Sequence, residues 1–192
     1  TACPSGVQYG KLIEPFRVAM DAAEGNAKQS DWFHRWILFG LFPYARKLRR
    51  ALLPARIAQR TGLMTLLKAT RLTRLLPMQL QRMVDMLPPP RRNEGPLPEF
   101  LPAIGRRRAT VALFTGCIGD AMFRHVNWAT ARVLQQNGCD VHVPPTQVCC
   151  GAIHFHAGSS EPAQAFADQN LAAFPIERFD AIINNIAGCG SM

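Results

Sequence analysis

The sequence at residues 111–120 reads VALFTGCIGD, in which a short apolar run ends at a cysteine between two glycines. Four consecutive apolar residues without helical spacing are typical of a strand that is buried on both faces. The residues that follow predict a helix over about 123–136, which Asn137-Gly138 ends. This stretch therefore predicts a strand–turn–helix unit with Cys117 in the turn.

Two further strands follow the same pattern. The second, at residues 140–143, leads through two prolines to Cys149-Cys150-Gly151. A helix is predicted over about 162–173, and the third strand, at 181–186, is followed by Cys189. Strands that alternate with helices predict a parallel sheet with right-handed crossover connections. The fold class predicted for this part of the chain is α/β.

Four cysteines follow the ends of these three strands. The carboxyl ends of parallel strands meet at one edge of the sheet, where open α/β sheets place their ligands, so we expect the four thiols to converge. Groups of four thiolates select zinc or an iron–sulfur cluster. The alternative is that the cysteines are small buried apolar residues. Cys139, at the start of the second strand, is predicted to be such a core residue.

The composition excludes several classes of protein. The chain has 192 residues, of which 48% are hydrophobic and 18% charged, so it is too apolar to be disordered. Its most apolar stretch, at residues 32–44, is interrupted by charge and proline and is shorter than the roughly 20 residues that a membrane span needs. The six cysteines are predicted to be reduced thiols in the cytoplasm, because adjacent cysteines rarely bond each other and no signal peptide is visible.

The positive charge is concentrated in one segment. Residues 35–108 hold sixteen Lys and Arg against three Asp and Glu, whereas the segments on either side are slightly acidic. This segment could be a solvated linker, or it could dock on an anionic membrane surface or on an acidic partner subunit. Nucleic-acid binding is not expected, because few aromatic residues lie among the arginines and no recognition motif is present.

The chain divides into three regions. Residues 1–30 contain an amphipathic helix over about 10–24. Residues 31–108 are predicted to be a basic helical linker that prolines 43, 54 and 77 interrupt and a stiff proline-rich connector ends. Residues 109–192 form the cysteine-rich domain.

Three histidines lie near the cysteine-rich loops. His154 and His156 follow the adjacent cysteines, and imidazole is both a metal ligand and a proton carrier. The alternative for both is ordinary packing or solvation, and the same two interpretations apply to His125 at the start of a predicted helix.

The cysteine motifs resemble those of a known family. FTGCIGD at 114–120 and QVCCGAIHFHAG at 147–158, followed by Cys189, are similar to the cysteine-rich CCG module. This module occurs in heterodisulfide reductase subunits and in the iron–sulfur subunits of flavin-linked dehydrogenases. Within that group, these two sequence motifs look most like those of the glycolate oxidase iron–sulfur subunits. Cys3-Pro4 is similar to the end of a bacterial ferredoxin motif.

The resemblance implies a particular architecture. Residues 109–192 would be the first, truncated CCG module, a parallel three-layer α/β unit preceded by an all-helical region. That region would combine the remnant of an α-helical ferredoxin-type 4Fe–4S domain, residues 1–30, with the helical linker. The family pattern has ferredoxin motifs before the first CCG module and a second such module after it, so the sequence is expected to be an internal fragment.

The resemblance also implies a function and a set of ligands. The metal ligands would be Cys3, Cys117, Cys149, Cys150 and Cys189, with a [4Fe–4S] type of iron–sulfur cluster as cofactor. The chain would be the electron-transfer subunit of a glycolate oxidase, without a catalytic residue of its own. FAD would lie on a partner dehydrogenase subunit, and electrons would pass to a membrane acceptor at the cytoplasmic face of the inner membrane. The alternatives are a subunit of a lactate or glycerol-3-phosphate dehydrogenase, and a structural zinc module that organises partner subunits.

Overall fold

A four-stranded sheet organises the computed structural model, which describes residues 9–23, 32–70, 77–89 and 94–190. The strands are β1 (Phe100–Leu101), β2 (Ala109–Phe114), β3 (Cys139–His142) and β4 (Ala181–Asn184), in the order β1-β3-β2-β4. The central strand β2 pairs in parallel with both β3 and β4, as the alternation of strands and helices predicts.

Strand β1 lies within the proline-rich connector, where the sequence predicts no strand. Phe100 pairs with His142 and Leu101 with Val141, antiparallel to β3. Because Leu101 is buried against Val141, this edge strand contributes to the core. A two-residue strand has no alternating pattern of its own, and the sequence therefore gives no sign of it.

The first half of the chain is helical. Its α-helices are α1 (Tyr9–Ala23), α2 (Ala45–Ala51), α3 (Leu53–Arg60), α4 (Leu63–Ala69) and α5 (Met78–Asp85), and a π-helix spans Phe33–Leu38. Pro54 lies in the first turn of α3 and Pro77 directly precedes α5. Both are positions where the missing amide and fixed φ of proline favour a helix start.

The cysteine-rich half contains two long helices and three short ones. They are α6 (Cys117–Met122), α7 (Arg124–Gln136), α8 (Ala152–His156), α9 (Ser160–Ala173) and α10 (Ala187–Gly190), with a 3₁₀ turn at Ile176–Arg178. The long helices α7 and α9 were predicted within a few residues. The short helix α6 corrects the prediction that Cys117 lies in a turn, and Cys189, which follows the third strand as predicted, lies in the short helix α10.

The core lies on both faces of β2. Val111 and Leu113 pack with Ala131 of α7 on one face. Ala112 and Phe114 pack with Phe174, at the end of α9, on the other. Successive strand residues point to opposite faces, so a strand covered on both sides must be apolar throughout, as VALF is.

The basic linker packs directly on the cysteine-rich half. Helix α2 contacts α6, and Leu48 of α2 is only 2% exposed. From this helix Arg49 forms an ion pair of 3.5 Å with Asp120, and Arg56 of α3 donates a hydrogen bond to the carbonyl of Ala121. The linker therefore supports the helix that begins with Cys117.

None of the helices within the described ranges is long and apolar enough to cross a membrane.

Candidate metal centre

Four cysteine sulfurs lie in a continuous series at one edge of the sheet. The Sγ atoms of Cys117 and Cys149 are 3.3 Å apart, and those of Cys150 and Cys189 are also 3.3 Å apart. Cys149 and Cys150 interact through their side chains as well, which joins the two pairs. The predicted convergence of the four thiols is thus present in the fold, while their role as metal ligands stays a prediction.

The three loops that follow the parallel strands bring these sulfurs together. Cys117 is the first residue of α6, directly after Gly116, whose φ is +65°. A Cβ at Gly116 would overlap the side chain of Ile186 and would lie 3.8 Å from the Sγ of Cys189. A side chain at position 116 would therefore separate the loop after β2 from the loop after β4.

The two sulfur pairs differ in their access to solvent. Cys117 and Cys149 are buried, with 7% and 1% of their surface exposed. Cys150 and Cys189 are half-buried beside the apolar cluster around Phe114. The series of sulfurs therefore runs from the interior towards the surface.

Hydrogen bonds divide the four thiols into two kinds. The pKa of Cys117 is lowered, first by the hydrogen bond from Cys149 and also by the backbone amide of Ile118. The pKa of Cys150 is lowered too, by hydrogen bonds from Cys149 and Cys189 and by the amide of Ala152. Their thiol partners Cys149 and Cys189 have raised pKa values, because each donates its proton to a neighbouring sulfur and is partly desolvated. Cys117 and Cys150 are thus the two sulfurs that the local donors favour as thiolates.

Gln147 holds the first two cysteine loops against each other. Its Oε1 accepts hydrogen bonds from the amide of Thr115, at 2.8 Å, and from the Thr115 hydroxyl, at 3.1 Å. Its Nε2 donates to the carbonyls of Leu113 and Pro144. One side chain therefore connects the end of β2 with the loop that leads to Cys149.

Two asparagines, Asn127, which is buried, and Asn185, which is half-buried, hold the third loop. Asn127 of α7 is 1% exposed and donates to the carbonyl of Thr115 at 3.0 Å. Asn185, in the loop after β4, donates to Asn127 Oδ1 and to the Thr130 hydroxyl, both at 2.9 Å. The loop that carries Cys189 is thereby connected to the loop that carries Cys117.

Asn170 of α9 supports the adjacent cysteines directly. Its Nδ2 donates to the carbonyl of Cys149 at 2.9 Å, and its Oδ1 accepts from the amide of Val148 at 3.0 Å. Sequence reasoning missed Gln147, Asn127, Asn170 and Asn185, because each acts through partners that are distant in the chain. The one available signal was Gln147 itself, an amide side chain two residues before the adjacent cysteines.

The chemistry of the donors fits a thiolate-ligated metal centre. Four thiols with backbone amides directed at three of them are the ligands that zinc and iron–sulfur clusters take. Within the described residues, however, no group of three or more His, Cys, Asp and Glu side chains is arranged around one metal ion. The 3.3 Å contacts are those of touching thiols and are shorter than the about 3.8 Å between sulfurs in a tetrahedral zinc site. The sulfurs must therefore move apart to admit a metal centre.

The other predicted residues lie outside this series of sulfurs. Cys139 packs against the core next to β2, as predicted. His154 is 3% exposed and stacks on Phe39 at 4.3 Å between ring centroids, and its Nδ1 has no hydrogen-bond partner among the residues that the structure describes. His156 forms an ion pair of 3.1 Å with Glu14 of α1, and the ring of His125 lies near Phe123. Cys3 lies outside the described residues.

Comparison with known families agrees with the cysteine pattern. Residues 111–192 match the family model of the cysteine-rich domain CCG. Residues 30–87 match the model of the linker region of the glycolate oxidase iron–sulfur subunit. No solved structure matches the chain.

Two of the three relatives named in this paragraph are described as glycolate oxidase iron–sulfur subunits. The probable glycolate oxidase iron–sulfur subunit of Bacillus subtilis (strain 168) is 38% identical over 98% of this chain and 43% of its own length. The glycolate oxidase iron–sulfur subunit of Escherichia coli (strain K12) is 27% identical over 100% of this chain and 42% of its length. Lactate utilization protein A of Macrococcus caseolyticus is 32% identical over 43% of this chain and 33% of its length.

The chain spans less than half the length of these relatives. The resemblance that the cysteine motifs predicted is confirmed. Along the chain, a region that matches the linker model of the glycolate oxidase iron–sulfur subunit precedes a region that matches the cysteine-rich domain CCG.

Proposed function

We propose that this chain is part of an iron–sulfur electron-transfer subunit of a flavin-dependent 2-hydroxy-acid dehydrogenase that oxidises glycolate to glyoxylate. Cys117, Cys149, Cys150 and Cys189 would hold one iron–sulfur centre. Cys3, which lies outside the described residues, would ligate a [4Fe–4S] cluster of the ferredoxin type.

One observation carries the proposal: four sulfurs from three separate loops lie in contact at one edge of the sheet. Ordinary core cysteines do not need an elaborate polar support. Here three groups of buried or half-buried amide side chains hold the loops, and backbone amides are directed at Cys117 and Cys150. Such support is typical of a centre whose ligands must keep their positions.

The described residues would act by holding ligands and tuning their charge. An iron–sulfur centre accepts and donates single electrons when it is bound, at a potential that hydrogen bonds to sulfur and solvent exposure adjust. The amides of Ile118 and Ala152 would stabilise negative charge on Cys117 and Cys150. The half-buried pair Cys150 and Cys189 is the side from which an electron would reach the surface.

The substrate and the partner subunit rest on the relatives. Two of them are described as glycolate oxidase iron–sulfur subunits and one as lactate utilization protein A. We infer that the substrate is bound by a partner subunit that carries FAD, and that glycolate is its substrate. The alternatives are lactate and glycerol 3-phosphate.

Contact with an anionic membrane surface would place the chain near a membrane electron acceptor on the cytoplasmic side. Trp32 and Trp36 each expose 67% of their surface, and the guanidinium of Arg35 lies 6.0 Å from the Trp36 ring. Exposed tryptophan beside basic residues is the combination that suits the headgroup region of a bilayer. Sedimentation with vesicles that contain anionic lipid should carry the protein down, and Trp36→Ala should reduce the bound fraction severalfold.

The electron-transfer role is tested by analysis of iron and acid-labile sulfide in full-length protein prepared without oxygen. Cys117→Ser should remove the iron that belongs to this centre and the corresponding paramagnetic signal. Cys139→Ser is the matched control, because Cys139 packs in the same domain but away from the series of sulfurs. Equal iron content in the two variants would contradict the ligand assignment.

The same preparation distinguishes a structural zinc module. One zinc ion per chain at the four cysteines, without iron, sulfide or visible absorption, would replace the electron-transfer proposal with a structural one.

A further inference from the structure

A cavity of about 410 Å³ lies between the linker and the cysteine-rich domain. The buried pair Cys117 and Cys149 forms part of its wall, and helix α2 contributes Arg46 and Arg49 from the other side. Cavities of this size accommodate small organic ligands. The proposed electron-transfer role uses the sulfurs but gives no role to the arginine-lined side of this space.

Positive charge exceeds negative charge around the cavity. Arg46, Arg49 and Arg124 line it together with two carboxylates, Asp120 and Glu99. Asp120 is already occupied, because Arg124 binds both of its oxygens at 2.8 Å and 3.0 Å. Glu99 is exposed to solvent.

Two of these arginines retain free donors. Arg49 reaches Asp120 only at 3.5 Å, through Nη1, and Arg46 attracts the same carboxylate through space, without a hydrogen bond or close ion pair to any described residue. The neighbouring Arg56 has a lowered pKa, first through burial and then through the positive charges of Arg49 and Arg60. Around the cavity, three guanidinium groups therefore face two carboxylates, of which Asp120 is shared by all three arginines.

The rest of the wall is largely apolar. Pro43, Leu97, Pro144 and Phe166 contribute to it. A fully hydrated inorganic ion gains nothing from such a wall, whereas an organic anion buries its apolar part there.

We propose that this cavity binds a small organic carboxylate, with its anionic end held by Arg46 and Arg49 and its body directed towards the Cys117–Cys149 pair. Guanidinium groups bind carboxylates through paired hydrogen bonds. The linker is then part of a binding site as well as a support for α6.

The test is titration calorimetry on the full-length protein with three probes: benzoate, glycolate and inorganic phosphate. Benzoate should bind saturably, and several times more tightly than glycolate or phosphate. Arg46→Gln should weaken benzoate binding by about tenfold, the loss expected for a charge-assisted hydrogen bond. Arg50→Gln is the matched control, because Arg50 is an exposed arginine of the same helix that does not line the cavity.

Three results would overturn the inference. The first is the absence of saturable benzoate binding at millimolar concentration. The second is an equal loss in the Arg46 and Arg50 variants, which would indicate general attraction by a basic surface. The third is phosphate binding as tight as benzoate binding, which would refute an organic ligand.

The outcome is independent of the proposed electron-transfer role. Iron and sulfide are measured on the same sample, so a protein that lacks them and still binds benzoate through Arg46 would retain the carboxylate site. A protein with its iron–sulfur centre intact and no benzoate binding would refute the site alone.

Discussion

Asn185 donates a 2.9 Å hydrogen bond to the Oδ1 atom of Asn127, and this contact, together with a second bond from Asn185 to the Thr130 hydroxyl, connects the loop after β4 to helix α7. Asn127 in turn binds the carbonyl of Thr115 in the loop after β2. The buried amide of Asn127 therefore links the loop that leads to Cys189 with the loop that leads to Cys117.

Asn127→Ala should destabilise the protein by about 1–3 kcal/mol, because the carbonyl of Thr115 and one donor of Asn185 lose a buried partner. Urea denaturation measures this change. Asn137→Ala is the control, since Asn137 makes an exposed hydrogen bond with Val133 on the same helix. If Asn127→Ala and Asn137→Ala lowered the free energy of unfolding by the same amount, the contact between Asn127 and Asn185 would have no special role in stability.

Gly151→Ala should be more destabilising than Gly62→Ala. Both glycines have positive φ, +85° and +78°, so the backbone strain is alike. A Cβ at Gly151 would lie 3.0 Å from the carbonyl oxygen of Ala163, whereas a Cβ at Gly62 has no neighbour within 4 Å. The difference in free energy of unfolding should be about 1–3 kcal/mol, measured by denaturation. Equal losses would show that α9 can yield to the added methyl group.

Asp120→Ala should loosen the linker. The Asp120 carboxylate binds Arg124 and Arg49. Both arginines are partly buried, and the substitution would leave their positive charges without this partner. We expect a loss of about 1–3 kcal/mol and faster amide hydrogen exchange over residues 45–60. Asp168→Ala removes an exposed carboxylate and serves as the control. Unchanged exchange in α2 and α3 would refute the role of Asp120 in docking the linker.

His154→Phe should make the protein less sensitive to acid. Burial lowers the pKa of His154 below its ordinary value, so the folded protein keeps the ring neutral while the unfolded chain binds a proton below about pH 6.5. The stability that depends on neutral His154 is complete above that pH and is lost as the pH falls. The phenylalanine ring can keep the stacking on Phe39 without titrating.

The measurement is the drop in melting temperature between about pH 7.5 and about pH 5.5. It should be smaller in the His154→Phe variant than in the wild type. His125→Phe removes a histidine from a partly exposed position and is the matched control. An unchanged drop in the His154→Phe variant would show that another group causes the acid sensitivity.

The parallel strands and the meeting of the four cysteines could be predicted because their signals are local. VALF is apolar on both faces, and each cysteine lies a few residues after a strand. The relation between parallel strands then places the loops at one edge. The short helices α6 and α10 could not be predicted, since four to six residues are too few for helical periodicity to be visible.

The contacts that hold the site together could not be predicted for a different reason. Arg49 and Asp120, or Asn127 and Asn185, are far apart in the sequence and become neighbours only through tertiary packing. A single sequence contains no record of such pairs. The burial of Leu48 against the cysteine-rich half was missed on the same grounds, since a basic helix without its partner resembles a solvated one.

The linker is attached to the cysteine-rich domain at two places, through α2 on α6 and through β1 on β3. A protease that cuts between these two attachments, for example in the exposed helix α5, would therefore leave both fragments bound to the same body. The nicked protein should migrate as one species under native conditions and separate into two only after denaturation.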